Sequence, residues 1–546
     1  MKLLRIHVIS AQTCGGLLDG MDIRLRPTDV DYFKFDPLCL IGPNGSGKSQ
    51  FLQVLAEMFQ AVCHACVPAE ERLEGNAELL FEIEYLIRPD GADSPVHVRV
   101  SRNKQGKGKP AVRIERREDD SWEPCNTAHE KTRHLLPTKV VGYTSGDNET
   151  LSLPFLVSRS GYADDVRTAA LADDTTDKGI PDTRLMLVDF GTSLEVLTAN
   201  LLLSDEALRN ALLEDADVLD MHSCRCIVQL AHSAVPRAPA KRRKRSKRKG
   251  VQLTSELEGY IEALKGCSTC YQYEDKTETY TFDFYINDQS RSAFAFFWDS
   301  ALALYASLHK LAMLNDLAIP KRTRDRFRKD TLARRFASRL PEPQDEEKVF
   351  RFEQVRFRPR ERNDAVDYVS LSDGEHQLTQ WLGTLAMQSF SNVLFLLDEP
   401  ESHFNPQWRV KAVSRMIDLP TAKGKRSEGG NRSPVAEQEC LITTHAPFVP
   451  SDMQRDRVFI FSKVEGQIKV THPNVETYGT TFDSILEACF DVVPPISEKS
   501  RSEIENLRKS GDSKAIEDAL QKLGSSVQKA FLRDRLRQLK SESGEQ

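Results

Sequence analysis

The chain has 546 residues, more than one hydrophobic core accommodates, so we expect two to four structural units. With 40% hydrophobic and 29% charged residues, the composition is ordinary for a soluble globular protein, and a net charge of −6 gives no indication of nucleic-acid binding. Eleven cysteines, an odd number without an N-terminal signal segment, favour reduced thiols in a cytoplasmic protein. Charged residues interrupt the most membrane-like stretch, Ser292–Leu314, which favours a buried helix there over a membrane span.

Residues 1–150 predict the first half of an α/β nucleotide-binding unit. Apolar and alternating segments indicate strands at Lys2–Ser10, Met21–Arg26, Leu38–Ile41, Leu79–Arg88, Val96–Arg102, Ala111–Arg117 and Lys139–Tyr143. The apolar positions between Ser49 and Cys66 recur at helical spacing and predict a helix soon after the third strand.

Residues 151–365 carry no nucleotide motif and predict a large α+β insertion. We expect helices at Leu194–Leu203 and Ser292–Leu314, and strands at Thr279–Ile286 and Val349–Phe357. The motifs resume over 366–475, which predicts the second half of the nucleotide unit. The remaining segment, 476–546, is expected to be a helical tail that includes Ala515–Leu539 and docks a partner.

A run of basic residues lies within the insertion. It places eight positive charges among nine residues, namely Lys241, Arg242, Arg243, Lys244, Arg245, Lys247, Arg248 and Lys249. Such a run is either a solvated loop or a nucleic-acid contact made through phosphates without base specificity. A second basic stretch, Lys321–Arg339, places four arginines near one helical face, Arg324, Arg328, Arg335 and Arg339, and supports nucleic-acid contact.

The first chemical motif spans Gly42, Pro43, Asn44, Gly45, Ser46, Gly47, Lys48 and Ser49, which fits G-x-x-x-x-G-K-[ST]. Its glycines allow backbone N–H groups to face phosphates at the positive end of the next helix. Lys48 is expected to neutralise charge on the β- and γ-phosphates, and Ser49 to ligate Mg²⁺. The strand before the motif and the helix after it argue against a chance match.

The second motif is an apolar strand, 393–397, followed by Asp398 and Glu399. An uninterrupted apolar strand is typical of a parallel sheet that is covered on both faces. Asp398 is predicted to hold Mg²⁺ through water, and Glu399 to polarise the attacking water as general base. A further strand ends at His445, which is either a structural histidine or a contact to the γ-phosphate.

The third motif is Leu-Ser-Asp-Gly-Glu at 371–375, directly before a predicted helix over 375–387. The Ser372 hydroxyl and the free N–H groups of the helix start can bind an anion. Ser-Asp-Gly is also a common helix N-cap. The segment therefore indicates a nucleotide site only in combination with the other two motifs.

Together the motifs resemble those of the ABC-type ATPase superfamily, with 42–49 as Walker A, 371–375 as the signature, 393–399 as Walker B and His445 as the switch histidine. The resemblance implies ATP and Mg²⁺ as ligands and two heads that dimerise head-to-tail. Ser372, Gly374 and Glu375 would then contribute to the ATP site of the other head. The run 398–406 is similar to the pattern of the soluble SMC/RecF/OLD branch. No glutamine-loop residue is evident, and 143–149 takes that place, which leaves the second protein ligand of Mg²⁺ open.

A closer resemblance rests on Gly-Tyr-Thr-Ser-Gly-Asp-Asn-Glu at 142–149, Thr-Thr-His-Ala-Pro-Phe at 443–448 and Thr-Tyr-Gly at 477–479. These segments look like restriction-system-associated ATPases, including the PtuA ATPases of Septu and Septu-like retron defence systems. The resemblance implies antiphage defence and a PtuB-like HNH nuclease partner. It also makes a reverse transcriptase with its RNA–DNA product a further candidate partner.

No nuclease motif accompanies these elements, because no Asp-x-Asp pair follows 464–466 and the last histidine is His472. We therefore expect this chain to hydrolyse ATP and to leave cleavage to a partner. Two cysteine pairs, Cys63 with Cys66 and Cys267 with Cys270, are better explained as buried thiols, and so are Cys224 and Cys226 near His222. Zinc binding at the second group remains the alternative.

The sequence thus predicts an α/β P-loop head with an antiparallel β subdomain, an α+β insertion and a helical tail. Its predicted function is that of a Mg²⁺-dependent ATPase that forms a homodimer or higher oligomer and regulates a nuclease. Two alternatives stay open. One is an SMC/RecF-like DNA-repair clamp without a nuclease partner, and the other is an ATP-stabilised scaffold with little turnover.

Overall fold

A computed structural model of the chain describes residues 1–104, 108–146, 149–171, 179–216, 218–231, 249–333, 343–361, 364–428 and 433–543. Up to residue 146 it contains two helices, α1 (Lys48–Cys66) and α2 (Glu130–Arg133). The strands there are β1 (Lys2–Ser10), β2 (Met21–Arg24), β3 (Leu38–Ile41), β4 (Leu80–Ile87), β5 (Val96–Asn103), β6 (Ala111–Glu118), β7 (Ser121–Cys125) and β8 (Lys139–Thr144). All seven predicted strands are confirmed to within two residues at each end, and β7 was not predicted.

The middle of the chain mixes helices and strands. The strands are β9 (Leu185–Val188), β10 (Val218–Gln229), β11 (Cys270–Glu274), β12 (Thr279–Tyr285) and β13 (Phe350–Pro359). The helices are α3 (Glu149–Leu171), α4 (Ser193–Leu203), α5 (Glu206–Leu213), α6 (Ser255–Cys267), α7 (Asp288–Phe297), α8 (Ala301–Ala312) and α9 (Lys321–Leu332). The prediction of one helix over Ser292–Leu314 is wrong. The Ser300 hydroxyl accepts a hydrogen bond from Ala303 N and caps a new helix, which separates α7 from α8.

The last third carries β14 (Val366–Asp367), β15 (Val393–Asp398), β16 (Glu439–Thr443), β17 (Val458–Val464) and β18 (Gln467–Thr471). Its helices are α10 (Asp373–Met387), α11 (Pro406–Asp418), α12 (Phe448–Ser451), α13 (Phe482–Phe490), α14 (Glu498–Lys509), α15 (Ser513–Lys522) and α16 (Val527–Ser543). The predicted helical tail that includes Ala515–Leu539 consists of separate helices, since the chain leaves helical geometry between α15 and α16 at Leu523.

The central sheet has seven strands in the order β18-β17-β3-β16-β15-β8-β9, and every neighbouring pair is parallel except β17 with β18. Alternate residues of β15 enter two different cores. Leu394 and Leu396 pack in the core that contains α1, whereas Phe395 and Leu397 pack in the core that contains α10 and α11. This double burial explains why β15 is apolar throughout.

Two antiparallel sheets flank the central one. The first has the order β2-β1-β4-β5-β6-β7 and forms the predicted antiparallel subdomain. The second has the order β11-β12-β10-β13-β14 and lies in the predicted insertion except for β14, which directly follows it. A fully buried ion pair between Arg26 Nη2 and Glu439 Oε1, 2.8 Å apart, ties the chain just after β2 to the start of β16. The middle segment also contributes β9 to the central sheet, through parallel pairing with β8.

The three last helices have a small hydrophobic cluster of their own. Ile504, Ile516 and Leu532, one from each of α14, α15 and α16, are its buried members. No helix in the part of the chain that the structure describes combines the length and apolar character needed to cross a membrane.

Candidate nucleotide site

The segment 42–49, here called the phosphate loop, connects β3 to α1. Three of its glycines have positive φ angles, +140° at Gly42, +77° at Gly45 and +92° at Gly47, which side chains rarely permit. A Cβ atom on Gly42 would lie only 2.1 Å from the carbonyl oxygen of Phe461 on β17. The loop geometry therefore requires glycine, and it leads directly into the positive end of α1.

Lys48 and Ser46 are buried within the phosphate loop. The Lys48 ammonium donates to the carbonyl oxygens of Gly42 at 2.9 Å and Pro43 at 3.3 Å. Burial lowers the pKa of Lys48 to about 8, while Glu399 and Asp398 oppose that shift, so the group stays largely charged at neutral pH. The Ser46 hydroxyl is buried and lacks a hydrogen-bond partner among the described residues, which fits a loop shaped to bind phosphate oxygens.

Asp398 connects the phosphate loop to two strand ends. One of its carboxylate oxygens, Oδ1, accepts a hydrogen bond from Ser49 Oγ at 3.0 Å and another from the Thr443 hydroxyl. Burial raises the pKa of Asp398, although the two hydroxyl donors act in the opposite direction. A serine hydroxyl beside a buried carboxylate is an oxygen donor set that suits Mg²⁺, so Ser49 and Asp398 fit the ion predicted from the sequence.

Glu399 has a left-handed backbone conformation, with φ +49°, that is uncommon for a residue with a side chain. Its N–H donates to both the carbonyl oxygen and the hydroxyl of Thr443, at 3.2 and 3.1 Å. Thr443 therefore fixes both carboxylates, Asp398 through its side chain and Glu399 through its backbone. Strained backbone held in place by its surroundings is typical of functional sites.

His445 lies against the Glu399 side chain. His445 Nε2 is 2.6 Å from Glu399 Oε1, and both side chains are about one-third exposed. This hydrogen bond lowers the pKa of Glu399, so the carboxylate is ionised near neutral pH. The structure thus brings Lys48, Ser49, Asp398, Glu399 and His445 together at the carboxyl edge of β3, β15 and β16.

The signature segment, 371–375, forms the start of α10. Ser372 is the N-cap, and its N–H and hydroxyl both donate to Glu375 Oε2 at 2.7 Å, which makes a capping box. Gly374 has little room for a side chain, since an added Cβ would lie 3.0 Å from His403 O and 3.1 Å from Trp408 Cζ3. Ser372 and Asp373 are exposed and Glu375 is half-buried, so the segment has both an anchored glycine and an open helix start.

The start of α10 is connected to the nucleotide site through residues that sequence reasoning missed. Gln377 on α10 donates to Ser145 O at 3.1 Å and accepts from His403 N at 3.1 Å, and Ser145 Oγ lies 2.7 Å from Ser402 Oγ. Asp147 and Asn148 of the predicted glutamine-loop replacement lie outside the described residues. Gln377 carries no motif. Thr443 belongs to the segment 443–448 that carries the family resemblance but had no predicted role, although a hydroxyl at the end of a strand next to the acidic one was a usable signal.

The basic and cysteine candidates that the structure describes lie away from this site. Lys241 to Arg248 lie outside the described residues, and the Lys249 ammonium is paired with Asp275. Arg328 pairs with Asp164 of α3 at 2.9 Å while its side chain stays 41% exposed, and Nε and Nη1 of Arg324 are buried, so the described part of this arginine face lies partly against α3. Arg335 and Arg339 also lie outside the described residues.

The cysteine groups carry no metal cluster in the described structure, where no set of three or more His, Cys, Asp or Glu side chains is arranged to hold an ion. Cys224, Cys226 and Cys267 are buried, and burial raises the pKa of each thiol. Cys270 is exposed on β11. Buried thiols therefore account for this group better than a zinc site does, except at Cys270.

Comparison with known families gives one match. A family model described as an AAA domain, putative AbiEii toxin, type IV toxin–antitoxin system, matches residues 271–452, a third of the chain. The matched part includes the signature segment, Asp398, Glu399 and His445, whereas the phosphate loop lies outside it. No curated protein matches the chain. The match and the phosphate loop together support a P-loop ATPase domain, and the sheets of this part of the chain have mixed α/β surroundings.

Replacing Thr443 by valine, which has the same shape, should lower kcat for ATP hydrolysis about 10- to 150-fold. The variant loses a hydrogen bond to a charged group, a loss of about 1.5–3 kcal/mol, and Glu399 loses one backbone contact. Steady-state ATPase assays and nucleotide titrations would measure the effect, and affinity for ATP should change little. Thr443→Ser is the matched control and should restore most activity. If Thr443→Val hydrolyses ATP like the wild type, the positioning role is wrong.

Proposed function

We propose that this protein is a Mg²⁺-dependent, ABC-type ATPase whose heads pair head-to-tail around ATP. The observation that carries the proposal is the bond from Ser49 to Asp398, which sets the phosphate loop against the acidic strand end. A charged lysine and an ionised glutamate lie beside it. These are the parts that phosphoryl transfer to water requires, namely a phosphate cradle, an oxygen donor set for a cation and a base.

Each side chain has one role in the proposed reaction. Lys48 and the backbone N–H groups of the phosphate loop would bind the β- and γ-phosphates. Ser49 and Asp398 would hold Mg²⁺, which neutralises charge on those phosphates when bound. Glu399 would orient the attacking water and accept its proton, and His445 would keep the Glu399 carboxylate in place until the γ-phosphate arrives.

Replacing Glu399 by glutamine should lower ATP turnover by about 10²- to 10⁴-fold, the usual contribution of a general base. ATP binding should persist, because the phosphate loop is untouched, and a closed dimer should accumulate. Steady-state hydrolysis, ATP titration and sedimentation would test these expectations. Lys48→Ala is the control and should lose binding as well as turnover. Wild-type turnover in Glu399→Gln would refute the base assignment, and negligible turnover in the wild type would favour the scaffold alternative.

Pairing of heads is supported by the exposed start of α10. The Ser372 hydroxyl and N–H already donate hydrogen bonds to a carboxylate, that of Glu375. A phosphate oxygen from ATP on a second copy can replace that carboxylate at the same donors. The buried Gly374 against His403 and Trp408 keeps this helix start in a fixed position on its own head.

Two substitutions at Ser372 separate the capping role from the proposed phosphate contact. Ser372→Ala loses both the helix cap, about 1 kcal/mol of stability, and the hydroxyl donor. Ser372→Asp keeps a good cap but places a negative charge where the phosphate would bind. We expect both variants to bind ATP normally and to lose ATP-driven pairing, measured by sedimentation in a Glu399→Gln background. Normal pairing of Ser372→Asp would contradict the contact in trans.

We further propose that the ATPase cycle regulates a partner nuclease of the HNH class in bacterial antiphage defence, with the helical tail as the docking element. Two features support this proposal, the resemblance of 142–149 and 443–448 to defence ATPases and the separate hydrophobic cluster of α14–α16. Val527 and Phe531 lie one turn apart on α16 and expose 65% and 52% of their surface. They form the apolar contact that a partner would cover.

A second candidate follows from the matched family, whose description is a putative toxin of a type IV toxin–antitoxin system. In that case the chain itself would be the toxic component. Induced expression of the chain alone distinguishes the two functions. Growth arrest without any neighbouring gene favours the toxin, whereas normal growth with protection against phage only in the presence of a nuclease gene favours the defence ATPase.

Co-purification with the products of adjacent genes tests the partner. We expect a small nuclease to remain bound to the wild type, and the double variant Val527→Ser, Phe531→Ser to lose it while ATP hydrolysis stays unchanged. Arg533→Ser, on an exposed position of the same helix, is the matched control and should retain the nuclease. Absence of any nuclease, together with binding to DNA ends, would instead support the DNA-repair clamp.

A further inference from the structure

A cavity of about 80 Å³ lies between α3, α8 and the edge strand β9. Its apolar wall includes Phe155, Leu185 and Leu302, and its polar wall consists of Lys139, Arg159, Tyr162, Asp182, Thr183, Tyr305 and His309. A buried water needs about 10–15 Å³ of such space, so the cavity has room for several waters or for one phosphate-sized group. None of these residues belongs to the nucleotide site described above.

Part of the polar wall is internally satisfied. The Tyr162 hydroxyl donates to Asp182 Oδ1 at 2.8 Å, and the Lys139 ammonium donates to Thr183 O. Burial alone would raise the pKa of Asp182. The positive charges of Lys310 and Lys139 have the larger effect, so the pKa of Asp182 is lowered. Lys310 also donates to Glu256 at 2.7 Å. The two lysines are therefore offset by two carboxylates.

The rest of the polar wall lacks partners. The Arg159 guanidinium makes no hydrogen bond or ion pair with any described residue, and the Tyr305 hydroxyl and His309 Nδ1 are buried without a hydrogen-bond partner. Tyr305 is only 3% exposed. Burial, with Arg159 acting in the same direction, lowers the pKa of His309 to about 3, so the imidazole is neutral. Arg159 is thus the one cation of this cavity wall that no carboxylate of the wall offsets.

A further buried carboxyl, Glu195 on α4, does not line the cavity. Burial raises its pKa to about 7, and the nearby Arg159 acts in the opposite direction. Asp316, a second buried carboxyl outside the cavity wall, also interacts with Arg159, and burial raises its pKa as well. Among the described residues, neither carboxyl forms an ion pair with Arg159. Unpaired buried donors beside an unpaired cation are rare in folded proteins unless a ligand or ordered water completes them.

We propose that this cavity binds a small oxyanion, a phosphate or a carboxylate group, through Arg159 on α3 and Tyr305 on α8. A planar guanidinium binds two oxygens of such a group at once, and the tyrosine hydroxyl donates to a third position. Phe155 and Leu302 leave space for a short apolar substituent. The ligand would connect α3 to α8 of the inserted segment. Helix α3 packs beside α1 and begins just after β8.

The phosphate loop also binds phosphate, so the test is performed with that loop filled by saturating Mg²⁺-ADP. Inorganic phosphate and acetate, at matched ionic strength, are titrated calorimetrically and by thermal unfolding. Four full-length proteins are compared, namely the wild type, Arg159→Gln, Tyr305→Phe and Arg167→Gln. Arg167 is the matched control because it lies on α3, pairs with Asp164 and does not line the cavity.

We expect one of the two anions to bind the wild type and Arg167→Gln with equal Kd and to raise their Tm. Arg159→Gln and Tyr305→Phe should weaken that binding at least tenfold. Tyr305→Phe removes a single hydroxyl without changing the volume, so it remains informative if Arg159→Gln folds poorly. A response to phosphate alone identifies a phosphate group as the ligand chemistry, and a response to acetate alone a carboxylate. Equal binding by all four proteins, or no response to either anion, overturns the proposal and leaves a water-filled cavity.

Discussion

One oxygen of the buried Asp398 carboxylate accepts hydroxyl hydrogens from Ser49 and Thr443, and the nucleotide site depends on this meeting point. The three residues come from separate parts of the chain, and they converge because β16 lies between β3 and β15 in a parallel sheet. Parallel strands place their carboxyl ends on one edge, so the loops that follow them share one space. Burial raises the pKa of Asp398, and the hydroxyl donors offset part of that cost.

The same edge of the sheet controls the geometry of Glu399, the proposed general base, and the position of α10. Thr443 holds the backbone of Glu399 in its left-handed conformation, while Gln377 joins the start of α10 to Ser145 and His403. A change at the strand ends would therefore reach the exposed signature segment through direct hydrogen bonds. In the proposed function, this link lets the nucleotide at one site influence how the head presents Ser372 to a second copy.

The sequence pattern predicts the structure correctly where a short segment contains the residues that determine its own conformation. The apolar strand β15 and the phosphate loop follow from hydrophobic runs and from glycine spacing, and both are confirmed. The sequence pattern predicts the structure wrongly where one polar side chain interrupts a helix that the spacing of apolar residues indicates. Ser300 caps a new helix and breaks the expected helix over 292–314, because its hydroxyl replaces the missing backbone acceptor at that point.

By itself the sequence determined the parts of the nucleotide site, since a phosphate loop, an acidic strand end and a capped serine are each set by neighbouring residues. Only the tertiary structure decided how those parts meet. The placement of β16 between β3 and β15, the dual role of Thr443 and the packing of the Arg324 face on α3 depend on residues far apart in the chain. Such contacts arise from the burial of whole helix and sheet faces, which no local spacing encodes.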